Sequence, residues 1–353
     1  MLLEGALVLD HHKDTLLYAG TAKVNITDWF FIKDSITLKY IGLDNAIINL
    51  NRQDSVWNYQ FLMDYFAAPK SAKKSSGSIA LKLDVVEMNN LKVLQKDGWK
   101  GEDFTVSLSR LDLQAEVFDL DKSIFNIRSI NIDHPKFAQY DYTGNRPEDT
   151  SRVVVKKTTF ETGKLKWNPD EIKLFIKTLN ITNGTVVSER QTARSPYLDH
   201  FDEKHIGFRD INSRVKNLRL FKDTIRAEIQ LSAKERNGFN LKKLVADFRF
   251  TPEMMEFKKL DVITDKSHLG NYFAMHYQGF QKAMQDFIHL VTVDGHFANA
   301  TVSSDDIAYL APGTKTWNTL FTLNGTGHGT IDNFYVKNMN IRAGGNNYLK
   351  GDL

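Results

Sequence analysis

The stretch Ile225-Arg226-Ala227-Glu228-Ile229-Gln230-Leu231 decides the fold. Every second residue is apolar, and each residue between is polar or charged. A strand sends successive side chains to opposite faces, so this spelling gives one apolar face and one wet face. The same alternation recurs outward along the chain. It is found at Ile36, Leu38 and Tyr40, at Ile79, Leu81, Leu83 and Val85, at Val106 and Leu108, and at Ile172, Leu174 and Ile176. Sheets with one wet side are usually antiparallel. The pattern predicts a mainly β chain: an elongated, curled antiparallel sheet, groove-like and repetitive, with one or two short helices.

A six-residue corner punctuates the first two-thirds. It reads apolar, any, Gly/Asn/His, any, any, apolar, and begins at Leu3, Leu43, Met88, Ile132 and Ile181. The spacings are 40, 45, 44 and 49 residues. Gly and Asn accept positive φ at little cost, so a turn or bulge fits there. A polar segment of variable length follows each corner, as insertions do at one phase of a repeat. The corner is read as far as Val186, and beyond it the strands continue without it. A soft boundary near residue 205, at Ser195-Pro196 and a charged stretch, divides a β-repeat segment (1–205) from a continuing β segment (206–353).

In the second segment, 215–220 and 224–231 predict a hairpin around Phe221-Lys222-Asp223. Further strands are expected at 243–250, 257–264, 272–277, 291–298, 325–336 and 339–343. Helix signals are few. The best is 54–68, capped by Asp54 or Ser55 and stopped by Pro69, with Trp57, Phe61, Leu62 and Phe66 on one face. Shorter candidates are 280–290 and 305–310.

The chain has 353 residues, 42% hydrophobic and 25% charged, which suits a folded chain and not a disordered one. Net charge is +3 from 46 basic and 43 acidic residues, too even a balance for a nucleic-acid binder. With no cysteine, disulfides, zinc-thiolate sites and cysteine nucleophiles are excluded. No stretch approaches the roughly 18 apolar residues of a membrane span. Met1-Leu2-Leu3-Glu4-Gly5 lacks the basic region of a signal peptide. Both ends read as cut from something longer, which would place any anchor or export signal outside this sequence.

No catalytic constellation emerges. His11 and His12 fall in a polar loop, where adjacent side chains diverge. The pairs Asp305-Asp306 and Asp202-Glu203 read as solvated loop carboxylates. Gly325-Thr326-Gly327-His328-Gly329-Thr330 lacks the Lys-Ser/Thr and the strand-to-helix setting of a phosphate loop, and reads as a strand against which something packs closely. The basic run 70–74 reads as a solvated linker, and Trp29-Phe30-Phe31 as packing at a strand end. No cofactor, metal or nucleic acid is expected, and the chain is read as a non-enzyme.

Several segments resemble the TamB branch of the AsmA-like superfamily as it occurs in the Bacteroidota, its N-terminal half in particular. They are Lys13-Asp14-Thr15-Leu16-Leu17-Tyr18-Ala19, Ile41-Gly42-Leu43-Asp44-Asn45-Ala46 and Trp57-Asn58-Tyr59-Gln60-Phe61. Later come Leu260-Asp261-Val262-Ile263-Thr264-Asp265-Lys266-Ser267-His268-Leu269-Gly270 and Val302-Ser303-Ser304-Asp305-Asp306-Ile307-Ala308-Tyr309-Leu310-Ala311-Pro312. The last is Gly325-Thr326-Gly327-His328-Gly329-Thr330-Ile331-Asp332-Asn333. Each motif is degenerate, and their order carries the likeness. The resemblance implies a long, curled, groove-like sheet in the periplasm, tethered to the inner membrane through a segment absent from this chain. It implies phospholipid transport toward the outer membrane and an outer-membrane β-barrel partner of the assembly-factor type. On that reading the groove would hold phospholipid acyl chains. Its lining candidates are Ile36, Leu38, Ile79, Leu81, Leu83, Val106, Leu108, Leu174, Ile176, Ile229 and Leu231. The rival expectation is a scaffold that binds strands at its sheet edge without carrying lipid.

Overall fold

The structure is a computed structural model that describes residues 1–26, 38–67, 83–119, 122–147, 166–344 and 347–352. Seventeen strands among them form one sheet. In chain order they are β1 (Leu2–Leu9), β2 (Thr15–Ile26), β3 (Leu38–Arg52), β4 (Val85–Asp97), β5 (Glu102–Asp119), β6 (Ile124–Asp133), β7 (Lys136–Asp141), β8 (Lys173–Arg190) and β9 (His205–Phe221). There follow β10 (Thr224–Glu235), β11 (Asn240–Thr251), β12 (Met254–Ile263), β13 (His268–His276), β14 (Thr292–Ser303), β15 (Leu320–Thr330), β16 (Asn333–Ala343) and β17 (Asn347–Gly351). Each strand pairs with its neighbours in the chain, with one exception. β6 and β7 lie end to end between β5 and β8, as one interrupted strand.

The sheet is mainly β and largely antiparallel as expected, but it is mixed. β3–β4, β6–β8 and β7–β8 are parallel. Alternation fixes which residues share a face and says nothing of strand direction. Direction is set by the connections: 53–84 and 142–172 are long enough to carry the chain back to the starting end, as a parallel pair requires. Among the described residues β1 pairs only with β2 and β17 only with β16, which leaves two free edges. β9 is joined on both sides, so the sheet runs through position 205.

The predicted strand 325–336 is two strands joined by the two-residue turn Ile331-Asp332. Its glycines behave as read, since a Cβ on Gly327 would stand 2.4 Å from the Phe334 ring. Among the described residues, four short helices, α1 (Gln60–Ala67), α2 (Phe280–Gln285), α3 (Phe287–Leu290) and α4 (Ser304–Leu310), decorate the strand ends. That is more than the one or two expected. Helix α1 starts later than Asp54, whose carboxylate is spent on the Val56 amide in a local turn (2.8 Å). Trp57 precedes the helix and lies under the Arg52 guanidinium at 4.6 Å.

The corner interrupts the strands' alternation. Its third residue has positive φ in all five copies: Gly5 (63°), Asn45 (53°), Asn90 (51°), His134 (47°) and Asn183 (55°). The corner also continues past Val186. The same spelling stands at Val215, Leu269, Phe297 and Val336, and the Asn at its third position again has positive φ: Asn217 (52°), Asn271 (90°), Asn299 (53°) and Asn338 (52°). The side chains of Asn45, Asn90, Asn183, Asn299 and Asn338 are exposed, whereas Ala46, Ala300 and Met339, each one residue on, are buried. The left-handed residue therefore adds one outward position to the alternation, as a β-bulge does, and the apolar residues before and after it share a face. An outer face with extra residues is longer than the inner one, so the strand bends toward its apolar side. Asn90 Nδ2 donates to Asn45 Oδ1 at 3.0 Å, which ties two corners together across the parallel β3–β4 pair.

Among the described residues, alanine supplies nine of the nineteen buried apolar residues, and no Phe or Trp is one of them. A compact cluster of described residues gathers Tyr277, Ala283, Val291 and Val293 where α2 and α3 close over the ends of β13 and β14. The energy of this fold is spread along the ladder and its half-buried side chains.

Candidate functional site

The register joins the apolar residues of separate strands into continuous rows. One row is Leu3, Ala22, Leu43, Met88, Leu111, Ile132, Ile181, Ser213, Leu231, Leu244, Val262 and Leu269. Each residue sits directly opposite the next, and Ser213 is the single polar member. At about 4.8 Å per ladder step, eleven steps span roughly 50 Å of sheet. Beside it runs Val24, Ile41, Val86, Leu113, Ile130, Leu179, Val215, Ile229 and Ala246. A third row crosses eleven strands: Phe118, Phe125, Leu174, Leu220, Ile225, Phe250, Met255, Met275, Val293, Gly329 and Phe334.

The opposite face is polar over the same strands. One of its rows is Lys23, Gly42, Glu87, Asp112, Asn131, Asn180, Arg214 and Gln230. Side-chain hydrogen bonds knit this outer surface. Asn180 donates to Asn131 (2.8 Å) and Asn89 to Asp44 (2.7 Å). Tyr40 donates to Glu87 at 2.7 Å, and that bond, followed by burial, pushes the Tyr40 phenol up to about 12.

Most residues of the apolar rows are half-buried, not sealed. Leu43, Met88, Leu111, Leu113, Ile130, Ile132, Leu179, Ile181, Leu231 and Leu244 all keep some accessible surface. Of the lining candidates, Leu83, Leu108 and Ile176 are buried, and Val106, Leu174, Ile229 and Leu231 are half-buried. Leu174, Ile229 and Leu231 stand in the three rows themselves. Val106 belongs to a flanking row with Ile48, Val93, Phe137 and Val186, in which Phe137 is 37% and Val186 36% exposed. Leu38 opens β3. Ile36, Ile79 and Leu81, with Trp29-Phe30-Phe31 and the basic run 70–74, lie outside the described residues. Composition and alternation suggest these rows only piecemeal, because rows are made by register.

The strand ends are closed by small caps. At one end the loop 191–204 meets α4. Phe201 N donates to Tyr309 O (2.8 Å), and the Tyr309 ring stacks on Phe239 at 4.9 Å. Burial pushes the Tyr309 phenol well above its ordinary range, and the adjoining Glu235 carboxylate adds to this. Asp202 is fully buried there and accepts both Arg194 guanidinium nitrogens, at 2.6 and 2.8 Å, together with the Tyr197 and Lys204 amides. The Arg194 bonds hold its carboxyl far below the usual carboxylate range. At the far end of the strands, α2, α3 and Trp167 pack against Phe250, with Trp167 edge-on at 5.4 Å.

The acid pairs read as solvated loop carboxylates serve the fold instead, since Asp202 is fully buried on Arg194. Asp305 pairs with Lys266, and Asp306 accepts Thr264 Oγ1 (2.6 Å) and Ser267 Oγ beneath α4. His11 packs on Phe61 at 4.5 Å. Among the described residues no three His, Asp or Glu side chains gather as a metal site. What the arrangement offers chemically is a long apolar surface backed by a hydrogen-bonded polar one. Comparison with protein-family models, curated proteins and solved structures finds no match to this chain.

Proposed function

We propose that this chain is a segment of a lipid-conducting groove, of the kind its TamB-like and AsmA-like motifs suggest. The carrying observation is the pair of apolar rows that run unbroken, apart from Ser213, across eleven and twelve strands and keep accessible surface along most of their length. A closed core would bury them. Acyl chains gain about 0.8 kcal/mol per CH₂ on such a surface, with no need of a catalytic group. In this reading the segment works in the periplasm, anchored through a neighbouring part of a longer protein, and passes phospholipid toward an outer-membrane β-barrel partner. The test is lipid content. Purified protein should carry co-extracted phospholipid, and Leu231→Lys, within the longest row, should lower the lipid-to-protein ratio. Lipid-free protein that also fails to take up a fluorescent phospholipid would refute the reading.

The free edges favour a second reading, that of a scaffold. β1 carries Leu2 and Leu7, each 54% exposed, beside unpaired backbone groups, with neither Lys nor Pro to deter pairing. A partner strand would add there by backbone hydrogen bonding. Leu7→Pro should abolish such capture while leaving lipid uptake intact. Unchanged capture by that variant would remove this reading.

A further inference from the structure

On the polar face three arginines stand abreast. Phe175, Arg219, Arg226 and Arg249 stand directly opposite one another on β8, β9, β10 and β11. Like charges abreast on one face destabilise a sheet. Among the described residues, no carboxylate lies within 4 Å of any of these three guanidinium groups. The acids that border them are engaged elsewhere: Glu228 with Asn217, Asp247 with Lys259, and Glu256 with Tyr272 and Lys258. Arg249 Nε is buried without a hydrogen-bond partner.

Next to Arg219 and Arg226 a cleft of about 650 Å³ opens between β6, β8 and the β9–β10 hairpin. Its charged lining is Lys173, Arg219, Lys222 and Arg226, four cations and no acid. Asp223, in the hairpin turn, is held by the Trp167 and Asn168 amides at 2.9 and 3.0 Å, and Asp119 pairs with Lys122 at 3.3 Å. The remaining walls include Ile124, Phe175 and Phe221, with the Arg219 guanidinium 5.0 Å from the Phe175 ring centroid. Cations beside apolar walls suit an anion joined to a hydrocarbon body. Arginine forks match phosphate oxygens in pairs.

We propose that this cleft binds the phosphate head group of an anionic membrane amphiphile. Phe125, Leu174 and Leu220 of the third apolar row also line the cleft, beside the hairpin turn Phe221-Lys222-Asp223-Thr224. A tail on the row and a head at the cleft would meet around that turn. Only this placement of the tail rests on the groove reading, and the head-group site stands without it.

The test uses the whole chain in vesicle co-sedimentation. The probes are phosphatidylcholine vesicles with and without phosphatidylglycerol, and glycerol phosphate is the soluble competitor. The wild type should prefer the phosphatidylglycerol vesicles. The double variant Arg219→Gln/Arg226→Gln should lose roughly thirtyfold in that binding, from two surface cations. Arg214→Gln, a cation elsewhere on the same polar face, should bind as the wild type does. Circular dichroism confirms that each variant is folded. Binding indifferent to the two arginines overturns the inference, as does equal competition by glycerol phosphate, which would mark a site for free phosphate compounds. A lipid-reactive probe at Ile229 separates the two readings. If only the head-group site is wrong, Ile229 still labels lipid. If only the groove is wrong, vesicle binding still needs the arginines while Ile229 labels none.

Discussion

Asn90 offers a test in which the usual order of two substitutions reverses. Inside a strand, Gly normally costs about 0.5–1 kcal/mol more than Ala, because it loses more chain entropy. Asn90 has φ of 51°, where a Cβ costs roughly 1–2 kcal/mol and Gly pays nothing. Its side chain also donates to Asn45 at 3.0 Å, an exposed bond worth about 0.5 kcal/mol that both substitutions remove. Between the two variants the lost bond cancels, so the strain of the Ala Cβ less the entropy that Gly forfeits should leave Asn90→Ala the less stable by up to about 1.5 kcal/mol. Lys92, exposed on the same strand with ordinary φ, is the control, where Gly should be the worse. Urea titration followed by tryptophan emission and far-UV circular dichroism measures both pairs. If Asn90→Gly proves less stable than Asn90→Ala, the left-handed corner is not what holds the bend.

The same reversal is expected at Asn217 (φ of 52°), which would extend the corner to the second half of the sheet by stability measurement. Gly329→Ala should destabilise by about 1–3 kcal/mol, because a Cβ there would stand 2.2 Å from the Asn333 carbonyl oxygen, and a melting curve like the wild type's would contradict that packing. Asp202→Ala should cost about 2–3 kcal/mol through the lost charge-assisted bonds, with the half-solvated Arg194 limiting the penalty, and the urea midpoint reads it. The carboxyl of Asp202 is lowered in the fold, so its contribution is complete above the unfolded value of about 3.9 and drains away as pH falls toward the depressed folded value. Asp202→Asn should accordingly flatten the fall in urea midpoint below pH 4, and an unchanged acid limb would show that the pair is not formed.

The alternation at Ile225 to Leu231 made the sheet legible, and the first five corners were legible with it. The four later corners obey the same spelling, yet they start 54, 28 and 39 residues apart, so a search for a near-constant period passes over them. Helix 54–68 shortened to α1 because Asp54 and Trp57 serve a turn beside Arg52. The hairpin at Ile331-Asp332 lacks the Asn-Gly or Asp-Gly pair that announces a tight turn, so 325–336 read as one strand. Parallel pairing and the rows themselves depend on register between residues far apart in the chain. Leu43 meets Met88 and Ile132 meets Ile181 only because the long connections return each strand to the same end. The arginine row is of this kind too: Arg219 and Arg226 span a tight hairpin, but Arg249 joins them only through the β10–β11 ladder.

On the proposed function, one face of the sheet works as a lipid surface. Alternate positions of β10 test it most directly, since Ile229 and Leu231 lie in the apolar rows and Gln230 between them faces the other way. A photo-crosslinking residue placed at each position in cells, followed by mass spectrometry of the adducts, reads the two faces separately. Phospholipid adducts are expected at 229 and 231 and none at 230. Protein adducts alone at 229 and 231, or lipid captured equally at all three, would contradict that function.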